Sequence, residues 1–382
     1  MKELEAATSA PASAARALPF SAYRDPEVFE LEMARLFRGD WVAVCSEAAL
    51  REPGTYYALS IGGEPIAVVR GRKGELRALS NACRHRGTQL LDEGQGLISS
   101  IVCPYHAWAY GLEGTFLGAP STGNVEIDGK QHCLPNFQLE VWAGVVFVNI
   151  DGRAKPLYER MVGAETYLAP YVIDRYDTSA GPAEPQRWAS NWKLAFENGI
   201  ESYHLFKVHR ETLETVAPTR GAFYLEGSSE WAVTGGAMHS DATPYPGEPP
   251  SLGIVERGRY VLVSLPPSFV GVLTRDSWGW IAIHPTGPEE CSVVGEALAP
   301  GIYASATSRD QSDAIAEFTA AFLAEDKMIC ERGQRGIQAR HSNGGQLVEL
   351  EHIVGDFHQY LATRLFGRDP EAPHREPAPQ DG

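Results

Sequence analysis

The 382-residue sequence predicts an α+β protein in which a small all-β unit precedes a larger mixed domain. Between about residues 41 and 150 the chain consists of short β-rich runs separated by glycine turns, as in VWAGVVFVNIDG. Beyond residue 151, helical stretches alternate with strands such as RYVLVSLPPSF and WGWIAIHP. Because the chain is also longer than a usual single domain, we expect two domains, each with its own core.

The first ordered element is predicted to be a helix that starts after Asp25. Asp25 is a favourable N-cap, Pro26 suits the first helical position, and Gly39 can end the helix. The preceding sequence, MKELEAATSAPASAARALPF, contains acidic residues and lacks an uninterrupted apolar stretch, which predicts a flexible lead and not a signal peptide. We therefore expect residues 1–39 to form a flexible lead and a helix that packs on the larger domain.

The remaining domain boundaries follow from changes in composition. We expect the all-β domain to span residues 40–155 and the mixed domain to span residues 156–367. Within the mixed domain a helical stretch is followed by a Pro-rich link, AGPAEPQ, and then by long helices and strands. Residues 368–382 are polar and Pro-rich, which predicts a loose C-terminal tail.

Charge and composition argue against several classes of partner. The net charge of −16 is opposite to what nucleic acids or an anionic membrane surface would attract. No apolar run approaches the roughly 18 residues that a membrane span requires. The six cysteines are dispersed along the chain, unlike those of a disulfide scaffold. These features predict a protein of the reducing cytoplasm without a nucleic-acid or membrane partner.

Two loops of the all-β domain each carry one cysteine and one histidine. Cys83 and His85 follow the predicted strand ELRAL, and Cys103 and His106 follow the predicted strand ISSIV. Gly87 permits a tight loop beside the first pair. Two thiolates and two imidazoles form a typical metal-ligand set, and a single zinc ion is one candidate occupant.

The same stretches, CRHRG and CPYHAW, resemble the Rieske iron–sulfur domain, whose motif is Cys-x-His, a spacer and Cys-x-x-His. The resemblance implies that Cys83 and Cys103 bind one iron of a [2Fe–2S] cluster and that His85 and His106 bind the other. Two neutral imidazoles in place of two thiolates raise the reduction potential of such a cluster. Taken alone, this domain predicts an electron relay and not an enzyme.

A second candidate site lies in the segment NWKLAFENGIESYHLFKVH, residues 191–209. If this segment is one helix, Glu197, Glu201 and His204 share a face. His209 is then displaced by roughly 140° from His204, so both histidines can reach one metal only if the helix ends or distorts between them. A solvated helix face is the alternative interpretation.

Asp326 is the candidate third ligand. It lies within an apolar stripe at helical spacing, composed of Ile315, Phe318, Phe322 and Ile329. A carboxylate on a buried face is costly unless it is paired or bound to a metal. A salt bridge to Arg332 or Arg335 is one solution. The other is a triad of two histidines and one carboxylate, which holds non-haem Fe(II) and leaves positions open for dioxygen and substrate.

From about residue 40 to residue 335 the chain resembles the α subunit of Rieske non-haem iron oxygenases. The family pattern Glu/Asp-x-x-His-x4-His is matched between Glu201 and His209, and the later Asp followed by Glu is matched by Asp326 and Glu331. The resemblance implies an antiparallel helix-grip fold for the catalytic domain. It assigns the mononuclear Fe(II) to His204, His209 and Asp326. It also implies that Glu201 bridges two subunits during electron transfer.

The resemblance further implies a terminal oxygenase component that hydroxylates or oxidatively demethylates a small organic substrate with O2. The electrons would come from NAD(P)H through a separate reductase, either directly or by way of a ferredoxin, and the oxygenase would be a head-to-tail homotrimer. Many aromatic-ring-hydroxylating members have Asp at position 201, whereas Glu is similar to members that act on quaternary ammonium compounds. Both substrate classes stay open, as does a Rieske electron-transfer or ligand-binding protein without a working mononuclear iron.

Other sequence features give weaker evidence for a functional site. The strand SWGWIAIH places four side chains on one face, and these could form an aromatic pocket wall or ordinary core: Trp278, Trp280, Ala282 and His284. Four further residues could lie near that wall: Phe223, Tyr224, Phe269 and Arg275. Three cysteines are expected to be small buried hydrophobes: Cys45, Cys291 and Cys330. Four remaining residues receive no role: His132, Cys133, His352 and His358.

Overall fold

A computed structural model describes residues 1–11, 14–173, 176–179, 184–239, 243–244, 248–300 and 309–367. Side chains at 177–179, 298–300 and 309–316 are outside this description. The predicted C-terminal tail, most of the Pro-rich link and the side chain of Ile315 therefore lie outside the described residues.

The N-terminal domain is built from ten strands in two antiparallel sheets. They are β1 Val42–Ser46, β2 Thr55–Ile61, β3 Glu64–Arg70, β4 Leu76–Ser80, β5 Gly94–Leu97, β6 Ile101–Val102, β7 Ala109–Tyr110, β8 Phe116–Gly118, β9 Asn136–Trp142 and β10 Val145–Asn149. The larger sheet has the order β1-β10-β9-β4-β3-β2-β5, and β6, β7 and β8 form the smaller one. The two Cys/His loops follow β4 and β6, one in each sheet.

The second domain has one large antiparallel sheet with helices against it. Its strands are β11 Tyr176–Ser179, β12 Gln186–Trp188, β13 Ala222–Gly227, β14 Ala232–Ala237, β15 Arg259–Leu265, β16 Phe269–Leu273, β17 Trp278–Gly287 and β18 Glu290–Pro300. The sheet has the order β11-β18-β17-β16-β15-β14-β13, and β12 also pairs with β18.

Nine α-helices are described along the chain. They are α1 Lys2–Ala7, α2 Pro26–Glu32, α3 Leu157–Leu168, α4 Trp192–Ile200, α5 Leu205–Val208, α6 Leu213–Val216, α7 Ile254–Arg257, α8 Arg309–Gly336 and α9 His352–Phe366. The connection between β10 and α3 contains the predicted domain boundary at residue 155. None of the described helices is both long enough and apolar enough to span a membrane.

The first residues of the chain differ from the flexible lead that the sequence predicts. They include α1, which contacts α9, and both Leu4 and Leu18 are buried in a core cluster that contains residues of both domains. Ala17 donates a backbone hydrogen bond to the carbonyl of Gly345, which ties the segment to the loop before α9. The expectation of a flexible lead was wrong because the surface that covers these leucines comes from the far end of the chain. Isolated leucines among small residues give no sign of such a distant partner in the sequence.

The predicted helix after Asp25 is present as α2. The Asp25 carboxylate accepts a hydrogen bond from the backbone N–H of Glu27, so the N-cap prediction is confirmed. A π-helical turn at Met33–Phe37 extends the helix. Glu32 at the end of α2 forms a fully buried ion pair with Lys193 of α4 at 2.6 Å, and this pair joins the N-terminal helix to the second domain.

Both faces of the antiparallel sheet of the second domain are covered by other elements. On β17 the side chains of Trp278, Trp280 and Ala282 belong to a core shared with Trp142 and Phe147 of the first domain. The indole N–H of Trp278 donates to the carbonyl of Ala143 at 3.0 Å. The residues that alternate with them pack on the opposite face, beneath α4. The aromatic stripe is therefore interdomain core, which is the second of the two interpretations that the sequence allows.

Buried charges also join the two domains at Asp40. Its carboxylate contacts the Nη1 atom of Arg160 at 2.6 Å and the Nε atom of Arg364 at 2.9 Å, and it accepts a hydrogen bond from the Tyr360 hydroxyl at 3.1 Å. Arg160 also donates to the carbonyl of Glu230. Because Asp40 lies just before β1, this network fixes the start of the first domain against α3 and α9.

Candidate metal centres

The two Cys/His loops have the same backbone conformation. The carbonyl of Cys83 accepts from the N–H of Gly87, and the carbonyl of Cys103 accepts from the N–H of Ala107. Gly87 and Ala107 both adopt a left-handed conformation, with φ of +75° and +55°. Only the first loop carries the glycine that this conformation favours. The two loops therefore have matching turns, each with its cysteine at the first position of the turn and its histidine within it.

The four predicted ligands of the first centre meet at the tip of the N-terminal domain. The His85 and His106 rings lie 4.9 Å apart between centroids, and the His85 ring stacks on Trp108 at 4.8 Å. Cys83 and Cys103 are buried, and their thiol groups are within hydrogen-bonding reach of each other. The sulfurs thus face the protein interior while the imidazoles lie nearer the surface.

The donor atoms of this centre fit a two-iron cluster. The Nδ1 atom of His106 is buried and has no hydrogen-bond partner among the described residues. Burial opposes ionisation of the Cys103 thiol, but hydrogen bonds from the N–H groups of Tyr105 and His106 outweigh it and lower its pKa. The hydroxyl of Tyr110 contacts the Cys83 sulfur at 3.4 Å.

The spacing of these donor atoms also bears on the zinc alternative. One zinc ion requires its ligand atoms to converge on a single point. Within the described part of the chain, the one set of three or more such donor atoms lying within 4.8 Å of one another is elsewhere, at His204, His209 and Asp326. Among the described residues no such group includes Cys83, His85, Cys103 or His106, so the arrangement does not favour a single ion at these loops.

The second candidate site is formed by a break in the helical segment, not by a continuous helix. Helix α4 ends at Ile200, and Glu201 adopts an extended conformation. The Glu201 carboxylate then accepts hydrogen bonds from the backbone N–H groups of Tyr203 and His204, which start a new turn. The single turn α5 ends at Val208, and His209 follows it directly. The expected shared face of Glu197, Glu201 and His204 was therefore wrong, because the break precedes His204.

This break brings the two histidines to Asp326 of α8. The Asp326 Oδ1 atom lies 2.9 Å from Nε2 of His209 and 3.5 Å from Nε2 of His204. Neighbouring ligands of one metal ion, at bond lengths of ~2.1 Å, are separated by about 3 Å. Asn198 donates a further hydrogen bond to Oδ1 of Asp326 at 2.8 Å. Histidines, and not Arg332 or Arg335, are thus the described charged partners of this buried carboxylate.

Carboxylates also contact the outer nitrogen of each histidine. Nδ1 of His204 lies 2.5 Å from Oε1 of Glu201, and Nδ1 of His209 lies 2.8 Å from Oε2 of Glu325. Burial alone would lower the pKa of His204, but its hydrogen bonds to Asp326 and Glu201 raise it to about 10. Burial would also lower the pKa of His209, but its hydrogen bonds to Asp326 and Glu325 raise it. Three acidic groups around two imidazoles therefore favour a positive charge here, and a divalent cation can supply it.

Two other acids have structural roles. Glu197 accepts hydrogen bonds from the Tyr23 hydroxyl at 2.8 Å and from Nε2 of His358 at 3.1 Å, so it lies outside the cluster of donors. Glu331 accepts from the backbone N–H of Ala189 at 3.1 Å. The sequence reasoning overlooked Glu325 and Asn198, although Glu325 is the direct neighbour of Asp326 and was a visible candidate.

The other minor predictions have clear outcomes. Cys45, Cys291 and Cys330 are buried as expected. Phe269 belongs to the interdomain core, whereas Tyr224 donates a hydrogen bond to Asp356 of α9 at 2.8 Å. His284 is buried, and its Nε2 atom lies 2.7 Å from the carbonyl of Ala43 in the first domain.

Comparison with known families agrees with this arrangement. A model described as "Ring hydroxylating alpha subunit (catalytic domain)" matches residues 172–367, and one described as "Rieske [2Fe-2S] domain" matches residues 40–138. The chain belongs to this family of ring-hydroxylating alpha subunits with a Rieske domain. The predicted fold class, a Rieske domain joined to an antiparallel helix-grip domain, is confirmed.

Two curated relatives are similar to part of the chain. The glycine betaine monooxygenase oxygenase subunit of Chromohalobacter salexigens is 35% identical over 199 residues, which are 52% of this chain and 44% of the relative. The anthranilate 1,2-dioxygenase large subunit of Acinetobacter baylyi is 33% identical over 202 residues, 51% of this chain and 42% of the relative. The chain thus spans somewhat less than half the length of these curated relatives.

A solved structure matches over nearly the whole chain. The quaternary ammonium Rieske monooxygenase CntA, in complex with an inhibitor, superposes with a TM-score of 0.80 at 24% identity, covering 94% of this chain and 98% of that one. This likeness shows that both domains of the chain have the folds of the corresponding domains of that structure, in the same order along the sequence.

Proposed function

We propose that the chain is the terminal oxygenase component of a multicomponent system that monooxygenates small quaternary ammonium compounds. The observation that carries the oxygenase assignment is the convergence of Nε2 of His204, Nε2 of His209 and a carboxylate oxygen of Asp326 within 4.8 Å of one another. Two imidazoles and one carboxylate are the protein ligands of non-haem Fe(II) oxygenases. A Rieske domain in the same chain adds a one-electron carrier.

The proposed function requires two metal centres, a [2Fe–2S] cluster and a mononuclear iron. Cys83, His85, Cys103 and His106 would hold the cluster, and His204, His209 and Asp326 would hold the mononuclear iron. When bound, the cluster supplies single electrons and the Fe(II) activates dioxygen. Insertion of one oxygen atom into a C–H bond consumes O2, two electrons and two protons and releases water. NAD(P)H would provide the electrons through a partner reductase, directly or by way of a ferredoxin.

The substrate class is proposed from position 201 and from the relatives. Glu201, where many ring-hydroxylating members have Asp, is shared with members that act on quaternary ammonium compounds. A glycine betaine monooxygenase subunit and the quaternary ammonium monooxygenase CntA both resemble this chain. Hydroxylation of a carbon bonded to the quaternary nitrogen gives an unstable N–C–OH group. It collapses to a tertiary amine and an aldehyde as the C–N bond breaks and the hydroxyl proton is lost.

An assembly of several copies would bring the two kinds of centre together. Glu201 lies near the surface, and the neighbouring Tyr203 and Phe206 are 42% and 49% exposed. At the tip of the first domain, Tyr105 is 56% exposed beside His106. Large apolar side chains exposed at both centres suit an interface between them. We propose a head-to-tail homotrimer in which the tip of one copy docks beside Glu201 of the next.

The decisive experiment combines iron analysis with turnover. The purified protein should be coloured and contain about three iron atoms per chain, two with sulfide and one without. With a suitable reductase and NADH, glycine betaine or carnitine should be consumed with O2 and yield both an aldehyde and a tertiary amine. Only two iron atoms per chain and no substrate-dependent O2 uptake would instead identify an electron-transfer or ligand-binding protein.

An aromatic acid is the second candidate substrate, because the anthranilate dioxygenase subunit is 33% identical over its matched segment. The same assay with anthranilate separates the two classes. O2-dependent formation of a hydroxylated aromatic product from anthranilate, with no turnover of glycine betaine or carnitine, would transfer the assignment to ring hydroxylation while leaving the two iron centres as proposed.

A further inference from the structure

The inference concerns the fully buried imidazole of His209, which is held on both nitrogens by successive residues of α8. Its Nε2 atom lies 2.9 Å from Oδ1 of Asp326, and its Nδ1 atom lies 2.8 Å from Oε2 of Glu325. Phe322, one turn earlier on α8, meets the ring edge-on at 6.3 Å between centroids. One face of α8 therefore determines both the position and the rotation of this ring.

Glu325 is itself held in place. The hydroxyl of Thr212 donates to the same Oε2 atom at 2.6 Å, and the backbone N–H of Thr212 donates to the carbonyl of His209 at 3.1 Å. The carboxylate, the threonine and the histidine thus form a closed set of hydrogen bonds around the turn that follows α5. The side chain of Glu325 is 29% exposed, so it is partly but not fully shielded from water.

A neutral imidazole carries its proton on only one nitrogen, and the hydrogen bond made by one nitrogen decides which. An ionised carboxylate can only accept. Without a metal, both nitrogens of His209 face a carboxylate and both can donate. With a metal bound to Nε2, Glu325 would keep the remaining proton on Nδ1 and so leave the Nε2 lone pair for the metal, on the side where Asp326 and His204 converge. Carboxylates in this relation to a metal-binding histidine also raise its basicity as a ligand.

We propose that Glu325 is a positioning residue for the mononuclear metal site: it fixes the tautomer and orientation of His209 and thereby strengthens metal binding. The inference rests on the proposed function, because it assumes that His204, His209 and Asp326 bind the metal. It assigns His209 a carboxylate partner comparable to the one that Glu201 provides for His204. The hydrogen bonds of Glu325 go to His209 and Thr212, both within the catalytic domain.

The test measures the metal affinity of the intact protein after removal of the mononuclear metal, with the Rieske cluster retained. Co(II) is the probe, and equilibrium dialysis followed by metal analysis gives its dissociation constant. The Glu325→Ala variant should bind Co(II) about 10–100-fold more weakly. Glu325→Gln keeps an acceptor but not the charge and should lose less. Thr212→Val, which frees the carboxylate, should weaken binding by a smaller factor in the same direction.

Two controls make the outcome unambiguous. Glu317→Ala removes an exposed glutamate two turns earlier on the same helix and should leave the affinity unchanged. His209→Ala should abolish tight binding. If Glu325→Ala and Glu325→Gln bind Co(II) as tightly as the unmodified protein while His209→Ala does not, the role of Glu325 is refuted and the metal site stands. If His209→Ala also binds normally, the metal assignment itself fails. An unchanged visible spectrum of the Rieske centre together with an unchanged thermal midpoint verifies that both domains of each variant are folded, and should Glu325→Ala not fold, Glu325→Gln and Thr212→Val decide.

Discussion

The Glu201 carboxylate and the His204 imidazole are joined at 2.5 Å, and the same carboxylate caps the turn on which His204 lies. One side chain therefore ends helix α4, starts the next turn and orients a candidate metal ligand. Because Tyr203 beside it is exposed, Glu201 is also placed where a second copy of the chain could reach it.

The first prediction concerns this contact. Glu201→Gln keeps an oxygen that can accept from Nδ1 of His204 but removes the negative charge. We expect iron content to stay near three per chain while product formation falls by about 100-fold or more, because coupling between copies would need the charged group. Single-turnover assays with a reduced Rieske centre measure the transfer directly. Unchanged turnover would remove Glu201 from the electron path.

A second prediction separates the two iron sites. His204→Ala should remove the mononuclear iron, so that iron content falls from about three to about two per chain while the visible Rieske spectrum persists. His239→Ala is the matched control, because His239 is an exposed histidine outside both sites. Retention of the third iron in the His204 variant would show that the ligands were assigned wrongly.

How far the sequence could predict this site depends on how local each contact is. The Cys83 and Cys103 loops were recognisable because ligand and turn residues are only a few positions apart. The break after Ile200 was not placed correctly, because a glutamate that caps the following turn looks the same in sequence as one on a helix face. Glu325 escaped notice because only the tertiary approach of α8 to His209 gives it a role.

The same limit applies to the larger packing. Alternation along β17 correctly grouped Trp278 with Trp280, but alternation does not say which element covers a face. The first domain covers this one, so the tryptophans are core. The leucines of the N-terminal segment were misjudged for a related reason: their partner, α9, lies more than 300 residues away in sequence.

A third prediction concerns the buried charges at Asp40. Asp40→Ala would leave Arg160 buried without its closest counter-ion, and breaking such a pair costs about 3–5 kcal/mol. We expect a clear fall in the thermal midpoint. Glu290→Ala breaks the exposed ion pair with Arg187 and should cost less than about 1 kcal/mol. Calorimetry of both variants checks the difference, and equal losses would argue against a role for the network.

The fourth prediction concerns the pH dependence of stability through Asp356 of α9. Burial raises the pKa of this carboxyl to about 7, although the hydrogen bond from Tyr224 lowers it somewhat. His352, at 4.0 Å, gives little compensation at neutral pH because burial lowers its pKa. The folded state therefore keeps a proton that the unfolded state releases above about pH 4. This contribution to stability is fully present below pH 4 and is lost as the pH rises towards 7.

Asp356→Asn tests that sign. The amide oxygen can still accept from Tyr224 at any pH, so the variant should lack this part of the pH dependence and be more stable than the unmodified protein at pH 8. One pKa unit corresponds to about 1.4 kcal/mol, so the gain amounts to a few kcal/mol at most. Thermal midpoints measured for both proteins between pH 5 and pH 8 give the comparison. Parallel curves would mean that Asp356 is ionised in the folded protein and that its burial is compensated by another group.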